Sequence, residues 1–182
     1  MTIFGEALGA ARCVAACVGR NVKNKMAIYQ FYLYTTPSLE TDIPIDQDRN
    51  IIDQLEDAGR SFWSSSSIYS EDLVIEIDKL LPRSNWSTES WKINNGTIDN
   101  DASIDVLDGK LISFSFRSDL TEDGLHFLKA MLRICRKFDL NVFTLKGEFS
   151  EPKIESVSKL IENSRNYQFL VNPIQFLDEL DS

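Results

Sequence analysis

Between residues 103 and 163 the apolar positions change their period several times, and each change marks a new element. Ile104 and Val106 alternate with polar neighbours up to Asp108-Gly109, after which Leu111 opens a run where Ile112, Phe114 and Phe116 alternate with Ser113, Ser115 and Arg117. A period of two gives a strand with one apolar face and one face toward water or a partner. A two-residue Asp-Gly link supplies the positive φ angles of a type I′ turn, so the pattern predicts an antiparallel hairpin. From Leu125 the spacing lengthens to three and four: Leu125, Leu128, Met131, Leu132, Cys135 and Phe138 form one stripe. That stripe predicts a helix of about 18 residues, capped by Thr121 and ending among cations. Glu122 and Asp123 fall in its first turn and Arg133, Arg136 and Lys137 near its end, the favourable sign at each pole of the helix dipole. Val142, Phe143 and Leu145 then read as a short strand ending at Gly147. Pro152 is placed just inside a second helix with the stripe Ile154, Val157, Leu160 and Ile161.

Upstream, residues 27–35 place Tyr29, Phe31 and Leu33 on one side and Ile28, Tyr32 and Tyr34 on the other. Apolar character on both faces predicts a central strand covered on both sides, or a strand with one face used for binding. Pro37 ends it, and residues 38–48 form a polar, acidic connection. Asp48 is the expected cap of a helix carrying Ile51, Ile52, Leu55, Ala58 and Phe62 inward, and Asp53, Glu56 and Asp57 outward. The serines at 64–67 read as a loop. Ser70 with Glu71 and Asp72 starts another helix, with Leu73, Ile77, Leu80 and Leu81 apolar and Pro82 as its stop. In residues 83–100 turn formers are too dense for a long helix; a short strand through Trp91 and Ile93, a turn at Asn94-Asn95-Gly96 and entry to the next strand are expected. Near the end, residues 166–173 read as extended, and Ile174, Phe176, Leu177 and Leu180 as a last short helix. The sum is an α+β fold, mainly an antiparallel sheet packed with helices.

A chain of 182 residues that is 43% hydrophobic can bury a full core as one domain, here assigned to residues 26–182. Residues 1–25 look unlike the rest, rich in Gly and Ala and ending in Arg20, Lys23 and Lys25. They read either as sequence upstream of a natural start at Met26 or as a short amphipathic helix packed on the body. Formal net charge is -9, unevenly spread: residues 39–123 hold 19 acidic and 7 basic groups, net -12, which leaves the remainder at +3. Such an acidic region repels nucleic acid and anionic membrane and favours a basic partner, although solubility alone also accounts for it. No apolar run is long enough to span a membrane. Cys13, Cys17 and Cys135 form no disulfide framework, which points to a reducing cytoplasm.

No catalytic constellation stands out. His126 is the lone histidine and has no assignable partner; no nucleophile elbow, zinc-protease helix or phosphate-binding glycine loop is present. Asp99, Asp101, Asp105 and Asp108, and separately Asp42, Asp46 and Asp48, are carboxylate clusters without the calcium-loop pattern. No catalytic residue, metal ligand or cofactor is therefore assigned. The candidate partner surface, read from charge density, is Asp42, Asp46, Asp48, Asp53, Glu56, Asp57, Glu71 and Asp72, with Trp86 or Trp91 as aromatic anchors. For either tryptophan singly, a place in the core is the competing reading.

Residues 91–177 resemble small bacterial immunity-type proteins found beside polymorphic or contact-delivered toxins. The resemblance rests on Ile104-Asp105-Val106 with its Asp108-Gly109 turn and on the run from Ile112 through Leu120. It continues through Phe127-Leu128 to the string from Tyr167 to Leu177. It covers about half of the chain, mainly at positions that maintain a fold, and leaves residues 1–25 outside. It implies a non-enzymatic, cytoplasmic inhibitor that binds a cognate protein toxin, such as a basic nuclease, and occludes or distorts its active site. Two readings from other classes stay open beside it: a carboxylate-dependent hydrolase, and a regulatory or structural subunit with a different partner.

Overall fold

The computed structural model describes residues 30–37, 53, 54, 63, 68–94, 98–120, 122–172 and 175. Within them the order is β1 (Gln30–Thr36), α1 (Ser70–Asp78), β2 (Ser90–Asn94), β3 (Asp99–Leu107), β4 (Lys110–Asp119), α2 (Glu122–Lys137), β5 (Asn141–Phe143), β6 (Phe149–Ser150), α3 (Ile154–Glu162) and α4 (Arg165–Val171). The strands form one sheet in the order β2-β3-β4-β1-β5-β6, with every neighbouring pair antiparallel. This is an α+β fold. The first strand in sequence lies inside the sheet, between β4 and β5, the central position that is one of the two readings of its apolar pattern, while Tyr32 and Tyr34 on one face stay half-buried.

The hairpin forms where the Asp-Gly pair predicts it. Asp108 has a φ of 52° and Gly109 a φ of 76°, two successive left-handed positions. One detail differs from the simple alternation. Asp105 pairs with Ser113 but Val106 with Leu111, so Ile112 is an extra residue in β4. That bulge turns Leu111 into the core, 1% exposed, and leaves Ile112 only half-buried. Sequence alternation alone puts Ile112 inward.

Cross-strand pairing fixes the apolar face. Leu33 lies opposite Phe116, Ala102 opposite Phe116 on its other side, Ile104 opposite Phe114 and Trp91 opposite Ala102. Leu128, Met131, Leu132 and Cys135 of α2 are buried with them, and so are Leu73 and Ile77 of α1 and Val157 and Ile161 of α3. The α2 stripe is thus the one predicted, although the helix stops at Lys137, before Phe138. Gly124 lets its first turn sit tightly on the end of β4: a Cβ there would lie 1.9 Å from the Asp119 carbonyl oxygen. The Ser118 hydroxyl donates to the Gly124 carbonyl at 3.0 Å and ties the two elements together. Burial pushes the Cys135 thiol up to about 12, so it packs as a small apolar group.

The opposite face of the sheet is held by polar groups. The Tyr32 and Ser115 hydroxyls are 3.0 Å apart, as are those of Ser103 and Ser115. Arg117 pairs with Asp101 across β3 and β4. Tyr34 stacks on Phe143, and Phe143 on Phe149, with ring centroids 5.4 and 5.1 Å apart.

Three expectations are corrected. Residues 166–171 are helical, not extended: Ser164 accepts from the Tyr167 amide at 3.2 Å and caps α4. A serine cap outweighs the aromatic and β-branched composition of that short run. Leu145 lies in a turn after β5, where Gly147 takes a φ of 77° and its amide donates to the Thr144 carbonyl at 2.9 Å. That turn creates β6, a strand too short to leave a periodic signal. Pro152 precedes α3 by two positions instead of lying inside it, and Lys153 occupies the N-cap position. The expected terminal helix, the helix stripe at residues 51–62 and residues 1–29 fall wholly or mostly outside the described residues; of these, Asp53, Gln54 and Gln175 are helical.

Candidate functional site: an acidic end with exposed apolar anchors

Three segments meet at the tip of the β3–β4 hairpin. The first is the tip itself, where Asp105, Leu107, Asp108 and Lys110 are all exposed as the chain reverses. The second is the entry to α1. Tyr69 bridges Lys110, the Leu111 amide donates to the Ile68 carbonyl at 3.5 Å, and the Ser70 hydroxyl donates to the Gly109 carbonyl at 3.3 Å. These contacts set the first turn of α1, with exposed Glu71 and Asp72, against the hairpin.

The third segment is the loop before β2. Ser90 pairs with Ser103, and the Ile104 amide donates to the Glu89 carbonyl at 3.0 Å, so the loop runs along β3 toward its tip. A short antiparallel contact closes it: Arg83 bridges Trp91, the Ser84 amide donates to the Ser90 carbonyl at 2.8 Å, and the Lys92 amide to the Pro82 carbonyl at 3.1 Å. Trp86 lies within this closed loop and is 72% exposed.

The outcome is one end of the sheet carrying three large exposed apolar side chains, Trp86, Tyr69 (63%) and Leu107 (61%). Five exposed carboxylates accompany them: Glu71, Asp72, Glu89, Asp105 and Asp108. None of the five forms an ion pair among the described residues. Large aromatics ringed by charge are the composition of an interface more than of a plain solvated surface.

Other carboxylates are already engaged. Asp78 takes two guanidinium N–H groups of Arg83, both at 2.9 Å, and the Trp91 indole N–H at 2.7 Å. Arg83, followed by the Trp91 hydrogen bond, holds the Asp78 carboxyl below its ordinary range. Glu76 accepts from Lys137 and Lys79 at 2.8 Å each, which lowers its pKa from 4.5 to about 2. Asp99 pairs with Lys92 at 3.6 Å. Burial raises Asp101 despite the opposing pull of Arg117.

Of the surface expected from charge density, the structure brings Glu71, Asp72 and Trp86 to this end. Asp53 is exposed, with nothing to connect it to them, and Asp42, Asp46, Asp48, Glu56 and Asp57 lie outside the described residues. Trp91 is corrected. It is fully buried beneath the end of α1, with Arg83 stacked 5.3 Å from its ring centre, so it is a core residue and no anchor. Sequence reasoning missed Tyr69, Glu89 and Leu107, and counted Asp105 and Asp108 in a carboxylate cluster to which no cation and no partner was assigned. The Asp-Gly turn was the available signal, since residues flanking a two-residue tip project beyond the sheet.

Among the described residues no group of three or more His, Cys, Asp or Glu side chains is placed to hold a metal ion. His126 is exposed on α2. No described helix is long and apolar enough to cross a membrane. Set against known proteins, the chain matches no family model, no curated protein and no solved structure.

Proposed function

We propose that this protein is a non-catalytic inhibitor that binds a basic protein partner through the hairpin end, and that the partner is a toxin to which it confers immunity. The observation that carries the binding part is the coincidence of Trp86, Tyr69 and Leu107 with five carboxylates that form no ion pair among the described residues. Apolar anchors supply burial, and unpaired charge around them steers encounter, raising association rates by one or more orders of magnitude at low salt. The toxin as partner rests on the sequence resemblance to immunity-type proteins, which runs through the Asp108-Gly109 turn of this chain.

Co-purification of the full chain from its native host, with mass-spectrometric identification of what travels with it, is the deciding experiment. A basic protein at equal stoichiometry, released by high salt and by Trp86→Ala, is the expected result. A monomer that turns over a substrate unaided overturns the proposal, and so does a partner whose binding ignores both salt and Trp86.

A further inference from the structure

α1 presents an apolar residue where the fold has no use for one. Leu73 and Ile77 face the core and Val74 packs against its edge, whereas Ile75 is 54% exposed. At 3.6 residues per turn Ile75 lies about 160° around the helix from both Leu73 and Ile77, on its outermost line. Isoleucine is also a weaker helix former than leucine, lysine or glutamate, because its branched Cβ loses rotamer freedom against the preceding turn. Neither packing nor helix formation accounts for it at that position.

A single exposed apolar side chain is ordinary on a protein surface, but this one has company. Glu71 precedes it by four positions and Asp72 by three, so both are its neighbours on the outer side of α1, within about 6 Å along the axis. These two carboxylates belong to the hairpin end and form no ion pair among the described residues. Tyr69 stands at the start of the same helix, exposed. Beyond Ile75 the character changes. Glu76 is engaged by Lys79 and Lys137, and Asp78 by Arg83, so the unpaired acids of α1 stop short of its last turn. The Asp78–Arg83 pair also ties down the loop that carries Trp86, since Arg83 donates to the Thr88 carbonyl at 2.9 Å. α1 thus joins the hairpin tip at one end to the base of the Trp86 loop at the other, and Ile75 lies between the two.

We infer that the recognition surface continues from the hairpin end along the outer side of α1, with Ile75 as a further apolar anchor, and that it takes a basic amphipathic stretch of the partner chain. An apolar side chain of that stretch covers Ile75, and its lysines or arginines meet Glu71 and Asp72. This rests on the role proposed for the hairpin end and adds to it a direction along α1 and a sequence pattern in the partner. Charge complementarity selects the occupant: an acidic stretch would meet Glu71 and Asp72 as like charge, and a basic one without apolar residues would leave Ile75 in water.

The test selects random short peptides displayed on phage against the full chain, then titrates the synthesised winner into the full chain and into its Ile75→Ala and Trp86→Ala variants. The winner is expected to intersperse lysine or arginine with bulky apolar residues and to bind Ile75→Ala about fivefold more weakly than the unaltered chain. It should also shift the Ile75 δ-methyl resonance of the unaltered chain, a readout that does not depend on how well either variant folds. Affinity lost in Trp86→Ala but kept in Ile75→Ala, with the Ile75 methyl unmoved, confines the surface to the hairpin end; the inference then falls and the proposed function stands. An acidic or uncharged winner, or a winner indifferent to both substitutions, overturns the two together.

Discussion

Two sets of carboxylates share the same acidic stretch of sequence and have different fates. Glu76, Asp78, Asp99 and Asp101 are consumed by the fold: Glu76 meets Lys79 and Lys137, Asp78 meets Arg83, Asp99 meets Lys92 and Asp101 meets Arg117. Glu71, Asp72, Glu89, Asp105 and Asp108 stand at the hairpin end and form no ion pair among the described residues. Net charge along the sequence counts both sets alike. Of these two sets, the second is the one left without an ion pair among the described residues. The tryptophans divide in the same way. Trp91 is covered by the end of α1 and spends its N–H on Asp78, whereas Trp86, five residues earlier, projects from the loop that Arg83 and Asp78 hold in place.

That division is tested most severely by the tryptophans. Trp91→Ala empties a fully buried site and is expected to cost about 3–5 kcal/mol in urea unfolding. Trp86→Ala should leave stability within about 0.5 kcal/mol and instead accelerate partner dissociation. Equal destabilisation by the two would erase the distinction between core and anchor.

The next largest effect concerns the free carboxylates. Glu71→Gln, Asp72→Asn, Asp105→Asn and Asp108→Asn combined should slow association with a basic partner about tenfold at low salt and flatten its salt dependence. The melting temperature should fall only slightly: no ion pair among the described residues is lost, but Glu71 and Asp72 leave the first turn of α1, where each carboxylate contributes about 0.3–1 kcal/mol. Stopped-flow binding across an ionic-strength series measures the first and calorimetry the second. Unchanged association rates would return these residues to the role of solubilising charge.

A smaller effect sharpens the geometry of the tip. Gly109→Ala meets no atom within 4 Å, so its cost is the left-handed backbone alone. About 1–2 kcal/mol is expected from denaturant midpoints. A neutral substitution would mean that the turn is not type I′ in solution.

The smallest concerns the engaged set. Glu76 has a folded pKa of about 2 against an ordinary 4.5. A depressed carboxylate contributes stability that is complete above the ordinary value and vanishes as pH falls through the folded one. Glu76→Gln should therefore lower stability at neutral pH slightly and reduce the acid loss between pH 4.5 and 2 relative to the unaltered chain. Urea midpoints at several pH values report this. Parallel acid curves for the two proteins would show that the α1–α2 tie through Lys137 contributes nothing.

Most of the secondary structure was legible because its signals are local. The Asp108-Gly109 turn, the start of α1 at Ser70, the α2 stripe and the central position of β1 all follow from residue type and spacing. Failures occurred where one short-range preference competed with another. Ile112 lost its core place to Leu111 through a single extra residue, and the run after Ser164 chose a capped helix over an extended strand. The candidate site was legible only in part. Glu71, Asp72 and Trp86 could be nominated from charge and aromaticity, but Leu107 comes from the hairpin, and no spacing along the chain links it to the entry of α1 or to the loop before β2.

By itself, then, the sequence determined an α+β chain whose turns and helix ends are written in glycines, serines and the period of its apolar residues, because those preferences act over a few residues. Tertiary structure decided which acids remain unpaired, which tryptophan is covered, and that the hairpin tip, the entry to α1 and the loop before β2 share one end. Those are matters of contact between residues up to about 40 positions apart, and such contacts exist only once the strands have found their register.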